Sequence, residues 1–174
     1  MNSENLSFDL SGSDALKTVF RNHASGITVV TSSKDDATPI GFTASSVTSL
    51  GSNPPLVSLN ISQGSSSYSH LSPGKLVAIH TLDDETLWLA QKMAADKSQR
   101  FTDVEYQLGP ESTPIFKAVP AVLLARVRSR TEVEANAVIV LDAESALSNR
   151  VAQTPIVYFQ RGYHAIGDRL QDNY

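Results

Sequence analysis

Two long apolar segments in the C-terminal third of the chain constrain its fold more than any other feature. Residues 121–134 read AVLLARVRSRTEVE and residues 136–145 read NAVIVLDAES, with one alanine between them. Both segments contain many β-branched residues and alternate between apolar and polar positions, which is typical of strands. A connection this short joins two strands only as an antiparallel pair. The sequence therefore predicts one long antiparallel pairing here.

Five further segments have the same strand-like character: residues 27–33, 40–45, 56–61, 76–82 and 154–162. The polar turn KDDATP separates the first two of these segments, which predicts a hairpin. Many short antiparallel strands with few helices predict a mainly β fold, a small antiparallel β-barrel, rather than a parallel βαβ sheet.

Two segments have helical periodicity instead. Residues 14–23 follow Ser13, whose hydroxyl we expect to cap the first turn. Residues 83–96 begin with two aspartates, which favour a helix N-terminus because of the helix dipole. The residues that share the apolar face of this second helix are predicted to be Leu87, Ala90, Met93 and Ala94.

Length and composition limit the architecture and the cellular setting. A chain of 174 residues is long enough for one domain with its own core, so we expect a flexible tail at residues 1–12 and a single domain at residues 13–174. The chain contains no cysteine, which excludes disulfides and thiolate sites and fits a reducing cytoplasm. No apolar run approaches the roughly 20 residues that span a bilayer, and the polar N-terminus lacks a signal-peptide core.

Charge and motif content exclude several classes of function. The net charge is −4 and lysines and arginines do not cluster, which argues against nucleic-acid binding. The four histidines match no metal-binding spacing, so we predict no metal. There is no GxSxG nucleophile motif and no glycine-rich dinucleotide fingerprint, so a nicotinamide cofactor would bind without a Rossmann unit.

Serines and threonines are concentrated in one segment, residues 41–62, which contains eight of them and a double proline. The TASS sequence at residues 43–46 fits an anion-binding turn of backbone amides and hydroxyls, but also an ordinary turn with local hydrogen bonds, which composition alone favours. A second serine cluster at residues 65–67 precedes a short helical segment and allows the same two interpretations. Lys97 and Arg100 follow the second helix and are either phosphate ligands or a solvated helix end.

The order of these motifs resembles the flavin reductase-like domain family, short-chain NAD(P)H:flavin oxidoreductases with an FMN-binding split β-barrel. The resemblance covers about residues 16–167 and depends on GITVVTS, PIGFTASSVTSLGSNPPLVSLNIS, SSSYSHL, KSQRF and PIVYFQRGYH. It implies a homodimer that binds FMN or FAD, uses NADH or NADPH, and supplies reduced flavin to a partner monooxygenase. It also implies roles for individual residues. Those expected to bind the flavin are Gly41, Thr43, Ala44, Ser45, Ser46, Asn60, Ile61, Ser66, Ser67, Lys97, Arg100, Phe101 and Tyr163, and His164 is the expected catalytic residue.

The chain departs from the family pattern at one place. Members that reduce flavin with NADH commonly carry Gly-Asp-His before the penultimate barrel strand, where this chain has Glu134, Ala135 and Asn136. Two alternatives to a reductase therefore stay open. One is a flavin-binding carrier of the same fold without efficient turnover, and the other is a related split-barrel oxidase acting on a pyridoxal-type phosphate.

Overall fold

The computed structural model describes residues 7–167. Its α-helices are α1 (Gly12–Arg21) and α2 (Leu87–Ala94), and single turns of 3₁₀ helix span Tyr68–His70, Asp84–Thr86 and Pro110–Ser112. Its strands are β1 (Ser25–Gly26), β2 (Thr28–Ser33), β3 (Pro39–Ala44), β4 (Thr48–Ser52), β5 (Pro55–Ser62), β6 (Leu76–Thr81), β7 (Gln107–Leu108), β8 (Pro114–Ile115), β9 (Ala121–Val133), β10 (Asn136–Ser148), β11 (Ile156–Phe159) and β12 (Gly162–Ala165). None of the helices within residues 7–167 is long and apolar enough to span a membrane.

Seven strands form one antiparallel sheet in the order β3-β2-β6-β9-β10-β5-β4. The predicted long pairing is confirmed: β9 and β10 are 13 residues each and pair from the turn, where Val133 lies opposite Asn136, to Ala121 opposite Ser148. The predicted hairpin of β2 and β3 is confirmed as well. The mainly antiparallel β fold expected from the sequence is therefore present.

The large sheet curls around one apolar core. This core contains Ile40 and Ala44 from β3 at one end of the sheet order together with Leu59 and Ile61 from β5 near the other end. Ile139 of β10, which is fully buried, lies in the same cluster. Strands far apart in the sheet order share one cluster only if the sheet bends around it, as in a barrel. The curl brings the ends of β3 and β5 to the same side of the molecule.

Helix α2 covers a second core on the outside of β2 and β3. Its buried residues are Leu89, Ala90 and Met93, so the predicted face is partly wrong: Leu87 is half-buried and Ala94 is exposed. The buried residues keep regular helical spacing, so the difference is that the face of α2 centred on Leu89 and Met93 packs against β2 and β3.

The predicted caps have different outcomes. Asp83 caps the 3₁₀ turn before α2, and Thr86 Oγ1 donates to its carboxylate at 2.8 Å. Arg150 forms an ion pair with the same carboxylate, which is fully buried. The prediction for Ser13 is wrong, since α1 begins at Gly12 with Ser11 at the cap position.

One buried histidine joins the two layers. His80 on β6 is fully buried, its Nδ1 lies 3.1 Å from the carbonyl oxygen of Val29, and its Nε2 accepts a hydrogen bond from the backbone N–H of Phe116 at 3.2 Å. Both contacts are satisfied by the neutral ring with its proton on Nδ1. Burial lowers the pKa of His80 to about 4.

This histidine makes stability depend on pH. The unfolded chain protonates His80 near its usual pKa of 6.5, whereas the folded chain resists protonation until about 4, so stability is present above pH 6.5 and is lost as the pH falls toward 4. We expect the contribution to be roughly 3 kcal/mol across that window. Urea unfolding at several pH values should show a flatter pH dependence for His80→Gln than for wild type. The exposed His23→Gln serves as the control. Parallel curves for wild type and His80→Gln would contradict the assignment.

Candidate functional site

The ends of β3 and β5 enclose a cavity of about 390 Å³, here named the hydroxyl-lined cavity. Seven residues predicted to bind flavin line it. One is Arg100, and the other six are Thr43, Ala44, Ser45, Ser46, Asn60 and Ile61. The first four of these six lie at the end of β3 and in the loop that follows, and the last two lie on β5. The structure thus brings together two segments that the sequence separates by the double proline.

The hydroxyls of this cavity have different roles. Ser46 Oγ accepts a hydrogen bond from the backbone N–H of Asn60 and donates one to the carbonyl oxygen of Asn60, both at 3.0 Å. Thr43 Oγ1 donates to the carbonyl oxygen of Ala90 on α2 at 2.5 Å. A hydroxyl has one hydrogen, so both side chains have used their donor within the protein. Within residues 7–167, the side chains of Ser45 and Asn60 have no hydrogen-bond partner, and both residues are exposed.

A second cavity of about 310 Å³ lies on the other side of Arg100 and is here named the cationic cavity. The polar side chains that line it belong to Lys34, Thr38, Ser66, Ser67, His70, Lys97, Ser98 and Arg100. No carboxylate of the described residues lines it. Three cations and several hydroxyls form a donor set that suits a phosphate, although the Ser98 hydroxyl already donates to Asp96 at 2.7 Å.

Arg100 lies between the two cavities and lines both. Its Nη1 donates to the carbonyl oxygen of Gly41 at 2.8 Å, and its Nε donates to that of Ala95 at 2.9 Å. Ser66 Oγ is 3.4 Å from the same Nη1. Partial burial lowers the pKa of Arg100, while the charge of Asp96 acts in the opposite direction. These contacts fix the guanidinium between the two cavities, and its other terminal nitrogen has no hydrogen-bond partner within residues 7–167.

Two residues predicted to bind flavin also have a packing role. A Cβ atom on Gly41 would lie 3.0 Å from Met93 Sδ and 3.0 Å from Phe101 Cζ, so a larger residue there requires both side chains to shift by a few tenths of an ångström. Phe101 packs edge to face on Tyr106, with ring centroids 5.5 Å apart. Both residues also line the cationic cavity, and their contact with a flavin stays a prediction.

Tyr163 and His164 lie on β12 and line neither of these two cavities. Tyr163 packs on Tyr158 with ring centroids 5.4 Å apart, and its burial raises its pKa. The Nε2 atom of His164 lies 3.1 Å from the carbonyl oxygen of Phe159. Their predicted roles at the flavin ring and in catalysis stay predictions, since this part of the chain does not reach the hydroxyl-lined cavity.

Sequence reasoning missed four polar residues of the cationic cavity, the titratable Lys34 and His70 together with Thr38 and Ser98. Lys34 begins the turn between β2 and β3, where its N–H donates to the carbonyl oxygen of Thr38 at 2.8 Å. Two aspartates follow Lys34 directly, which makes the segment look like an ordinary solvated turn. His70 ends the 3₁₀ turn after the serine cluster. His70 and Lys97 line the same cavity only because the chain folds, and no short sequence motif links the two residues.

Glu134, Ala135 and Asn136, which replace the Gly-Asp-His common in the family, lie at the turn from β9 to β10. Glu134 has a φ of 50°, a left-handed conformation that favours glycine. Gln63 holds the turn by donating from its backbone N–H to the carbonyl oxygen of Ala135 at 2.9 Å and from its side chain to that of Glu134 at 2.7 Å. Asn136 lies opposite Ser62, a residue of the hydroxyl-lined cavity. The departure is therefore located beside the candidate site.

Comparison with known proteins gives a consistent result. Residues 20–167 match the family model described as Flavin reductase like domain. An NADH:FMN oxidoreductase of Rhodococcus erythropolis is 31% identical over 153 residues, which are 85% of this chain and 79% of the relative. The reductase component of a flavin-dependent trigonelline monooxygenase from Acinetobacter baylyi is 32% identical over 106 residues, which are 61% of this chain and 34% of the relative. The crystal structure of a flavin reductase domain protein from an Arthrobacter species is 31% identical and has a TM-score of 0.84, covering 92% of this chain and 98% of that one.

The two adjacent serines of the hydroxyl-lined cavity should respond differently to substitution. Ser46→Ala removes both hydrogen bonds to Asn60, and we expect the free energy of unfolding to fall by about 1 kcal/mol. Ser45→Ala removes no contact within the described chain, so we expect a change within about 0.5 kcal/mol. Urea unfolding of the apoprotein measures both. Equal losses for the two variants would contradict the division between a structural and a ligand-facing serine.

Proposed function

The chain belongs to the Flavin reductase like domain family, and we propose that it is an NAD(P)H-dependent flavin oxidoreductase that binds FMN. The observation that supports this most directly is the arrangement of two cavities on either side of Arg100. FMN has a dianionic phosphate at one end and an uncharged ring with polar edges at the other. Among the described residues, one cavity is lined by three cations, Lys34, Lys97 and Arg100, and no carboxylate, whereas the other has Arg100 at its edge and otherwise hydroxyl, amide and apolar groups.

The hydrogen-bond donors of each cavity support an assignment of the two ends of FMN. Lys97, Arg100 and the serine pair Ser66 and Ser67 would hold the phosphate, with Lys34 adding a further charge. Ser45, Asn60 and Ile61 would lie along the ring, and Thr43, Ala44 and Ser46 would form the wall between ring and phosphate. FAD contains the same ring, ribityl chain and first phosphate as FMN, and these would occupy the same two cavities. Each cavity volume lies within the range of about 300 to 1,000 Å³ that ligand pockets have.

The chemistry requires little of the protein beyond binding. When FMN is bound, it supplies the two-electron acceptor, so that NAD(P)H is oxidised to NAD(P)⁺ by loss of a hydride while solvent provides the accompanying proton. The side chains of Ser45 and Asn60 are available to orient polar groups of a ligand. Arg100 and Lys97 neutralise a bound anion, and Ile61 provides an apolar wall. Hydride transfer needs orientation rather than an acid and base pair, which agrees with the lining of the hydroxyl-lined cavity, where none of the described residues is a carboxylate or a histidine.

A flavin carrier of the same fold is the second candidate function. It is favoured by the turn at Glu134–Asn136, which has no histidine where family members that use NADH commonly have one. Asn136 donates and accepts hydrogen bonds but does not acquire a positive charge. FMN would bind in the same two cavities in either case, so only turnover separates the two functions.

We further propose a cytoplasmic homodimer with the split-barrel arrangement, which supplies reduced flavin to a partner monooxygenase. Helix α1 supports the dimer because none of its residues is buried, and its apolar side chains Leu16 and Val19 are 61% and 63% exposed. An amphipathic helix with an uncovered apolar face is stabilised when a second copy covers it. The similarity to the reductase component of a trigonelline monooxygenase supports the oxygenase partner.

Lys97 provides a test of the phosphate assignment. It is exposed and has no ion pair within residues 7–167, so Lys97→Gln should leave the fold intact. We expect FMN affinity to fall about tenfold, because a hydrogen bond to a charged group contributes about 1.5 kcal/mol. Riboflavin, which lacks the phosphate, should bind both proteins equally. Fluorescence titration with both ligands measures this, and Lys117→Gln, an exposed lysine outside both cavities, is the matched control. An equal loss of riboflavin affinity would contradict the assignment.

Turnover separates the reductase from the carrier. Anaerobic addition of NADH or NADPH to the FMN-loaded protein should bleach the flavin absorbance at a catalytic rate. A spectrum that stays oxidised with both nicotinamides would overturn the reductase proposal and support the carrier. In that case Asn136→His, which places a titratable group beside Ser62, tests whether the departure at this turn is the cause.

A further inference from the structure

A third cavity of about 320 Å³ meets the hydroxyl-lined cavity at Ser45 and is here named the helix-side cavity. It lies between the C-terminal half of α1 and the turn from β11 to β12. The side chains that give it its character are Lys17, Phe20, Arg21, His23, Tyr158 and Arg161. None of them is among the site residues predicted from the sequence.

The helix-side cavity is positively charged. Lys17, Arg21 and Arg161 all line it, and no carboxylate of the described residues does. These three cations form no ion pair within residues 7–167. In contrast, Arg126, Arg128 and Arg150 each form an ion pair with a carboxylate. Unpaired cations grouped in a concave surface attract anions strongly. The rings of Phe20 and Tyr158 add aromatic surface on which a base can stack.

The turn that presents Arg161 has an unusual backbone. Gln160 and Arg161 have φ angles of 48° and 66°, so two consecutive non-glycine residues occupy the left-handed region. Hairpin turns with this geometry normally use Asn-Gly or a similar pair. Gln160 is held by α1, since its N–H donates to the carbonyl oxygen of Arg21 at 3.2 Å. Strained conformations of this kind persist when surrounding contacts enforce them, and they cluster at ligand sites.

We propose that the helix-side cavity binds the phosphates of the nicotinamide dinucleotide. This proposal rests on the proposed function and deepens it by assigning the site of the co-substrate. The FMN phosphate occupies the cationic cavity in our assignment, which leaves this second group of unpaired cations next to the ring end of the flavin site. NAD(P)H must bring its nicotinamide to that ring, and its phosphates are covalently tied to the nicotinamide. A cation cluster that meets the ring end at Ser45 is placed to hold them.

The diphosphate of FAD has the same chemistry as that of NAD(P)H, and the experiment must separate the two ligands. Arg161→Asn is the informative variant because asparagine tolerates the left-handed conformation and removes the charge without opening the turn. Lys17→Gln tests a second cation, and Lys117→Gln, which lines a separate cavity beside Trp88, is the matched control. The measurements are KM and kcat for NADPH and NADH with FMN, the affinities for FMN and FAD, and calorimetric binding of NADP⁺ to the FMN-loaded protein.

We expect Arg161→Asn to raise KM for NADPH and to weaken NADP⁺ binding by about tenfold, with kcat and FMN affinity unchanged. If KM rises for NADPH alone, the cavity holds the 2′-phosphate. If KM rises for both NADPH and NADH, the cavity holds the diphosphate that the two cofactors share. Unchanged NADP⁺ binding in Arg161→Asn and Lys17→Gln overturns the proposal even if the protein is an active reductase. Weakened FAD affinity with unchanged NADP⁺ binding also overturns it, in favour of FAD. If wild type binds NADP⁺ through Arg161 but does not reduce FMN, this proposal stands and the reductase proposal fails.

Discussion

The contact between Ser46 and Asn60 joins two distant parts of the curled sheet. β3 and β5 lie four strands apart in the sheet order, with β2, β6, β9 and β10 between them. The hydroxyl of Ser46 nevertheless bonds to both backbone groups of Asn60, at 3.0 Å each. This bridge fixes the loop after β3 against β5 and forms the wall of the hydroxyl-lined cavity. The apolar core inside the sheet stabilises the curl, and the bridge places polar groups at its rim.

Arg100 also connects separate segments, in the middle of the candidate site where the two cavities meet. Its hydrogen bonds to the carbonyl oxygens of Gly41 and Ala95 connect β3 to the segment after α2. A guanidinium held by two backbone groups loses little freedom when it meets an anion, which favours binding. Gly41 suits this arrangement because a side chain there would press on Met93 and Phe101, each 3.0 Å from the added Cβ atom. Packing and ligand recognition therefore depend on the same few residues.

The sequence predicts those parts of the fold that have a strong local signal. β9 and β10 alternate clearly because one face of each lies against the core. β4 is exposed at every position and β12 has no buried residue, so neither segment has an alternation that identifies it as a strand.

The candidate site was predicted in part. The two serine clusters and the Lys97 and Arg100 pair were predicted from the sequence, and they line adjoining cavities. Nothing in the pattern TASS separates Ser45 from Ser46, because their difference arises from a contact with a distant strand. Lys34, Lys17 and Arg161 were missed for the same reason, since the tertiary fold assembles their cavities from remote segments.

The central claim is that the two cavities on either side of Arg100 form one flavin site with a defined polarity. A crystal structure of the FMN complex tests this most directly. The account predicts the phosphate within hydrogen-bond distance of Arg100 and Lys97 and the ring against Ser45, Asn60 and Ile61. A phosphate bound beside Lys17 and Arg161, or a ring that lies away from Asn60, would contradict it.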